Sequence, residues 1–214
     1  MRMISPMKEW TQEQPDIVED GMISADAISD LRTDENCIST WYVGEKGAED
    51  IKKGVLALAS GFRSLEEIRI VFLDDRKLCE AGLDIKETDG YTKIEEYKTL
   101  HRDIASLNAG KLQKLAKIVL ESVWAEDTET IHKDTIVGWM LDALNRRQLI
   151  FNSLDKNMRR GFAASVKKMV NTKKVHKDSI REEVWKAIEQ QLEANTRKTT
   201  CKFEGECERY RKKA

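Results

Sequence analysis

Proline is nearly absent from this chain: only Pro6 and Pro15 occur, and the 199 residues after Pro15 carry none. Because proline removes a backbone donor and clashes with the preceding helical turn, its absence leaves helix as the default over most of the sequence. Long apolar runs are also missing. The longest, residues 55–59 and 70–73, fall far short of the roughly 20 residues a helix needs to cross a bilayer. Residues 1–6 show no sustained apolar stretch and no small-residue cleavage site, so no signal peptide is read there. The expectation is a soluble, cytoplasmic chain with no membrane partner.

The residue types that build covalent or metal frameworks are equally sparse. Cys37, Cys79, Cys201 and Cys207 form no Cys-x-x-Cys pair, and the three histidines, His101, His132 and His176, lie far apart in sequence. Neither a disulfide framework nor a structural zinc site is expected, and no resident metal or cofactor is implied. There is no Gly-x-Ser-x-Gly elbow, and Gly44, Gly47 and Gly54 lack the spacing and the Lys-Ser/Thr partner of a phosphate loop.

What is present is charge, at 35% of residues against 40% hydrophobic. That is polar for a globular protein but apolar enough to fold. The formal net charge of −1 conceals a division: residues 1–130 hold 17 Lys+Arg and 27 Asp+Glu, a net of −10, whereas residues 131–214 hold 20 and 11, a net of +9. Such asymmetry points to a nucleic-acid surface on the basic half, or to docking of the basic half against an acidic partner, its own front half being one candidate.

The periodicity predicts an α+β fold, mostly helical, with a small three-stranded sheet and helices followed by a helical bundle. Residues 1–20 read as a flexible arm in which Trp10 could anchor a partner. Residues 21–125 read as a small α/β domain: a short helix capped by Ser24, a strand over 37–43, a helix over 48–60, strands over 68–73 and 83–87, and a helical hairpin. The first arm of that hairpin starts at Thr92 with Glu95 three residues on, as in a capping box, and spaces Ile94, Tyr97, His101 and Ile104 along one face; the second runs to Trp124. The acidic segment 126–129 marks a boundary. A basic helical bundle is expected over 131–195, with helices over 134–154 and 156–171 and a third opened by a Ser179-x-x-Glu182 capping box. A frayed basic tail over 196–214 follows.

Three constellations could carry chemistry. The string 101–108, His-Arg-Asp-Ile-Ala-Ser-Leu-Asn, resembles the protein-kinase catalytic loop, but a kinase also needs a Gly-rich loop, a strand-borne lysine and an Asp-Phe-Gly motif, and none occurs. The second is Asp74 at the end of an apolar strand, followed by Asp84-Ile85-Lys86 on the next. That order resembles the metal-dependent nuclease core of restriction-endonuclease-like folds and implies Mg²⁺ held by Asp74 and Asp84, with Lys86 steadying the water or phosphate. The alternative is that these are solvated turn carboxylates. The third is basic. At 100° per residue Lys156, Arg159, Arg160 and Lys167 share one arc of the 156–171 helix, Lys168 borders it, and Lys173, Lys174 and Lys177 follow. No aromatic residue interleaves with these cations in sequence, which favours backbone contact over base stacking.

The function expected from this reading is a non-catalytic accessory or adaptor subunit of a larger bacterial assembly, its basic half contacting nucleic acid or an acidic protein surface. The alternatives are the Mg²⁺ nuclease and a self-associating structural protein, a homo-oligomer in which front and back halves of different copies meet.

Overall fold

The computed structural model describes residues 1–4, 10, 18–19, 22–31, 33–44 and 47–211. It is α+β with a helical majority, and it divides into two units: residues 1–59 with 66–136, and residues 60–65 with 137–214.

In the first unit, two antiparallel three-stranded sheets carry the architecture. One has the order β4 (Ile38–Trp41), β7 (His101–Ala105), β6 (Asp84–Glu87); the other has β1 (Arg2–Ile4), β5 (Ile68–Val71), β8 (Thr128–Ile131). Met1 and Trp41 exchange both backbone hydrogen bonds, at 2.8 and 2.9 Å, and so join the two sheets at one corner. A short ribbon of β2 (Val18–Glu19) and β3 (Met22–Ile23) precedes α1 (Ala25–Asp30), whose cap is Ser24 as its sequence position predicts. Helices α2 (Ala48–Ser60), α3 (Asp75–Glu80) and α4 (Ala109–Trp124) complete the unit. The apolar stripe of α4, including Leu115, Ala116 and Val119, is buried in one cluster with Ile38, Val71 and Ile104 from both sheets. Burial of this kind, rather than helix propensity, supplies most of the stability of such elements.

Three expectations for this unit are corrected. The segment from Thr92 to Ile104 is not a helix: residues Glu95–Leu100 form a 3₁₀ turn and His101–Ala105 form β7, so there is no helical hairpin. The i, i+3, i+4 spacing mimics a helix, but two strands with unpaired edges, β4 and β6, take up the backbone bonds of 101–105 instead. The start of the arm is not loose, because Arg2–Ile4 pair with β5, and Trp10 is fully buried in the unit's own core rather than exposed as an anchor; residues 5–9, 11–17 and 20 lie outside the described residues. The acidic segment 126–129 is not a boundary either, since β8 closes the second sheet against β5.

The second unit holds most of α5 (Lys133–Asn145), with α6 (Lys156–Asn171) and α7 (Glu182–Arg211). Its core comprises Met140, Leu144, Phe151, Met158, Phe162, Val166, Ile180, Val184 and Ile188, all buried. Helix α5 stops at Asn145 rather than reaching 154: Arg147 takes φ 63°, a left-handed conformation that ends a helix, and a separate 3₁₀ turn follows at Phe151–Ser153. The Ser179 capping box does not form. Ser179 Oγ donates to His176 O at 2.6 Å within its own turn, while Asn145 Oδ1 accepts the Arg181 amide at 3.1 Å where α7 begins. The expected tail is helical as far as Arg211, the last described residue.

Candidate functional site

Helix α6 starts at Asp155, whose carboxylate accepts the Asn157 amide at 2.7 Å, and buries Met158, Phe162, Ala163, Val166 and Met169. The opposite face is left to the cations. Lys156, Arg160, Lys167 and Lys168 are exposed, as are Lys173, Lys174 and Lys177 in the segment after the helix. Among the described residues Lys156, Arg160, Lys167, Lys168, Lys173 and Lys177 take part in no ion pair, although Glu182 and Glu183 of the same unit do so with other cations. Arg159 departs from the expected arc. It is half-buried, its Nη1 donates to Asn152 Oδ1 at 3.4 Å, and its Nε is buried without a partner. An angle near 300° on the helical wheel carries Arg159 toward the buried side, which a generous arc conceals.

The structure also brings an aromatic ring to these cations. Trp185 of α7 lies with Lys167 Nζ 5.4 Å and Lys177 Nζ 5.0 Å from its ring centroid. Eighteen positions separate Lys167 from Trp185 in sequence, and only the packing of α6 on α7 unites them.

The nuclease-like residues are not assembled into a centre. Asp74 Oδ1 accepts the Arg76 amide at 2.8 Å and caps α3, whereas Asp84 receives Lys111 Nζ at 2.8 Å, an ion pair that holds its carboxyl below the ordinary 3.8. The strands before and around them, β5 and β6, belong to different sheets, and Lys86 stands opposite Asp103 on β7. Among the described residues no three His, Cys, Asp or Glu side chains converge to hold a metal ion. The residues present therefore do not fit Mg²⁺ as the resemblance implies.

Asp74 does line a cleft of about 430 Å³ in the first unit, with Tyr42, Arg102 and Asp127. Its arginine is engaged: Arg102 donates to Thr99 O at 2.7 Å and His101 O at 2.8 Å, and pairs with Glu87 at 2.9 Å.

The kinase-like string becomes a strand with alternating faces. His101 and Asp103 share one face with Ser39 and Thr88, a grouping invisible when the segment is taken for a helix. Thr88 Oγ1 is 2.9 Å from Asp103 Oδ2 and 2.8 Å from His101 Nδ1, and Ser39 Oγ donates to Asp103 Oδ1 at 3.3 Å. An ionised carboxylate can only accept, so the Thr88 proton goes to Asp103 and His101 must donate through Nδ1. The imidazole is thus oriented as a donor and cannot activate the Thr88 hydroxyl. Its burial, only partly offset by Asp103, pulls the His101 pKa below the ordinary 6.5, and Arg102 adds to the lowering. The string is a polar lock on the sheet, not a catalytic loop.

The fold and the cationic face define a class: a two-unit α+β protein whose helical unit presents unpaired cations. Comparison with known proteins goes no further, since no family model, no curated protein and no solved structure matches the chain. Among the described residues no helix is long and apolar enough to cross a membrane.

Proposed function

We propose that this chain is a non-catalytic accessory subunit whose helical unit binds the phosphate backbone of a nucleic acid. The observation that supports this is the set of six exposed cations on α6 and the segment after it that, among the described residues, form no ion pair. Like charges held this close repel one another, and a polyanion relieves that repulsion while releasing its own counterions. Lys156 and Lys167 are eleven residues apart, about 16 Å along a helix axis at 1.5 Å per residue. Along one DNA strand phosphates recur at about 3.4 Å per step, so the stripe is long enough to meet several. Contacts to phosphate oxygens carry no sequence information, so the binding should be independent of sequence.

The test is a mobility-shift titration of full-length protein on a short duplex at several salt concentrations. Replacing Lys156, Arg160 and Lys167 together with glutamate should leave the melting curve within a degree or two, because exposed residues contribute little to packing. The variant should bind much more weakly, and the logarithmic salt slope should shrink by about 2.7, at about 0.9 per lost phosphate contact. Unchanged binding by the triple variant would sink the proposal. Binding of poly-glutamate in preference to duplex would transfer the face to an acidic protein partner.

A further inference from the structure

The tryptophan among the cations carries an unexplained donor. Trp185 is 6% exposed, and its Nε1 is one of three buried side-chain polar atoms without a hydrogen-bond partner, among the described residues. A buried N–H left unpaired is costly, and native structures pair the great majority of such groups. The surroundings of this one are cationic. Lys167 and Lys177 stand over its ring at 5.4 and 5.0 Å, and the two acidic residues that open α7 are taken, Glu182 by Lys186 at 2.8 Å and Glu183 by Arg181 and Arg147. An ammonium–ring contact at the surface is weak and is readily exchanged for contact with an anion.

We propose that Trp185, Lys167 and Lys177 form a phosphate niche: the ammonium groups swing from the ring onto one phosphate of the nucleic-acid backbone, and the indole Nε1–H donates to an oxygen of that phosphate. The niche rests on the phosphate-binding reading above and gives it a fixed point on the cationic stripe. Its three members have distinct signatures. The lysines release counterions and set the salt slope, whereas the neutral indole donor adds affinity without changing that slope.

The experiment uses ¹⁵N-labelled full-length protein, with the Trp185 indole resonance assigned by its loss in Trp185→Phe. Titration with a 12-base-pair duplex, and separately with inorganic phosphate, should move that resonance downfield in step with saturation. Trp185→Phe should weaken duplex binding about tenfold, as expected for a hydrogen bond to a charged acceptor, at unaltered slope. Lys167→Gln with Lys177→Gln should cut the slope by about 1.8. If duplex binds and the Trp185 resonance stays still, the niche is wrong and the broader reading survives. Should inorganic phosphate shift the resonance while duplex fails to bind, the niche stands as a small-anion site and the polymer reading falls. A resonance indifferent to both ligands, with no duplex binding, overturns the two together.

Discussion

His101 is a titratable ring packed edge-on against Trp41, with centroids 5.0 Å apart, and against Gly90, where an added Cβ would lie 2.6 Å from the His101 Cβ. A charge there is poorly solvated, so the folded chain favours the neutral ring and its pKa lies below 6.5. As pH falls past about 6.5 the unfolded chain takes up the proton first. The stability owed to the neutral ring is therefore complete above that pH and declines below it until the folded-state pKa is reached. Melting temperatures measured from pH 8 to pH 5 should fall over the acidic part of the range. In His101→Gln, which still offers a donor to Thr88 but cannot ionise, that part of the decline should flatten although the starting stability is lower. An equal slope in both proteins would remove His101 as its source. Asp84 has the opposite sign: its pair with Lys111 stabilises above 3.8 and is lost as pH falls through the lowered value, an effect confined to strong acid.

Elements differ in how far their own residues determine them. The bounds of helix α6 could be read because an unbroken apolar stripe and the absence of proline act within its length, and the structure adds the Asp155 cap. Strand β7 could not. Ile94, Tyr97, His101 and Ile104 keep helical spacing, yet His101 and Ile104 face opposite sides of a sheet whose partners lie elsewhere in the chain. Strand β8 was hidden for a similar reason, since its polar sequence is decided by pairing with β5. At the candidate site the cations were legible as a helical arc, whereas Trp185 depended on the packing of α6 against α7, which no local pattern encodes. The start of α7 turns the same lesson into a measurement. Asn145 both accepts the Arg181 amide and donates to Ser179 O, at 3.1 Å each. Thermal or denaturant unfolding should show Asn145→Ala losing about 0.5–2 kcal/mol, as for a removed helix cap, and Ser179→Ala losing less. Equal losses would return the cap to Ser179.

For the whole molecule, net charge is a poor guide to behaviour. The total is −1 at pH 7, yet the +9 of residues 131–214 includes the unpaired face. Over distances beyond about 8–10 Å at 0.1–0.15 M salt the remaining charges are screened, and a polyanion senses the local patch. The chain should therefore be retained on immobilised heparin at pH 7.5 despite its negative sum, and the Lys156, Arg160, Lys167 triple glutamate variant should elute at distinctly lower salt. Passage of the unmodified chain in the void volume would contradict a functional cationic face.

The central position of β7 has a further consequence, for the order of assembly. Its contacts with β6 close a short span of chain, whereas Ser39 and Asp103, opposite each other on β4 and β7, are 64 residues apart. Loop-closure entropy rises with span and must be met before such a pairing is rewarded, so β4 is expected to dock after β6 and β7 have zipped. In that interval one edge of β7 stands open with the apolar Ile104 beside it, a template for another chain in the same state. Crowded refolding therefore selects between β4 and a stranger, and yield on dilution from denaturant should depend steeply on protein concentration.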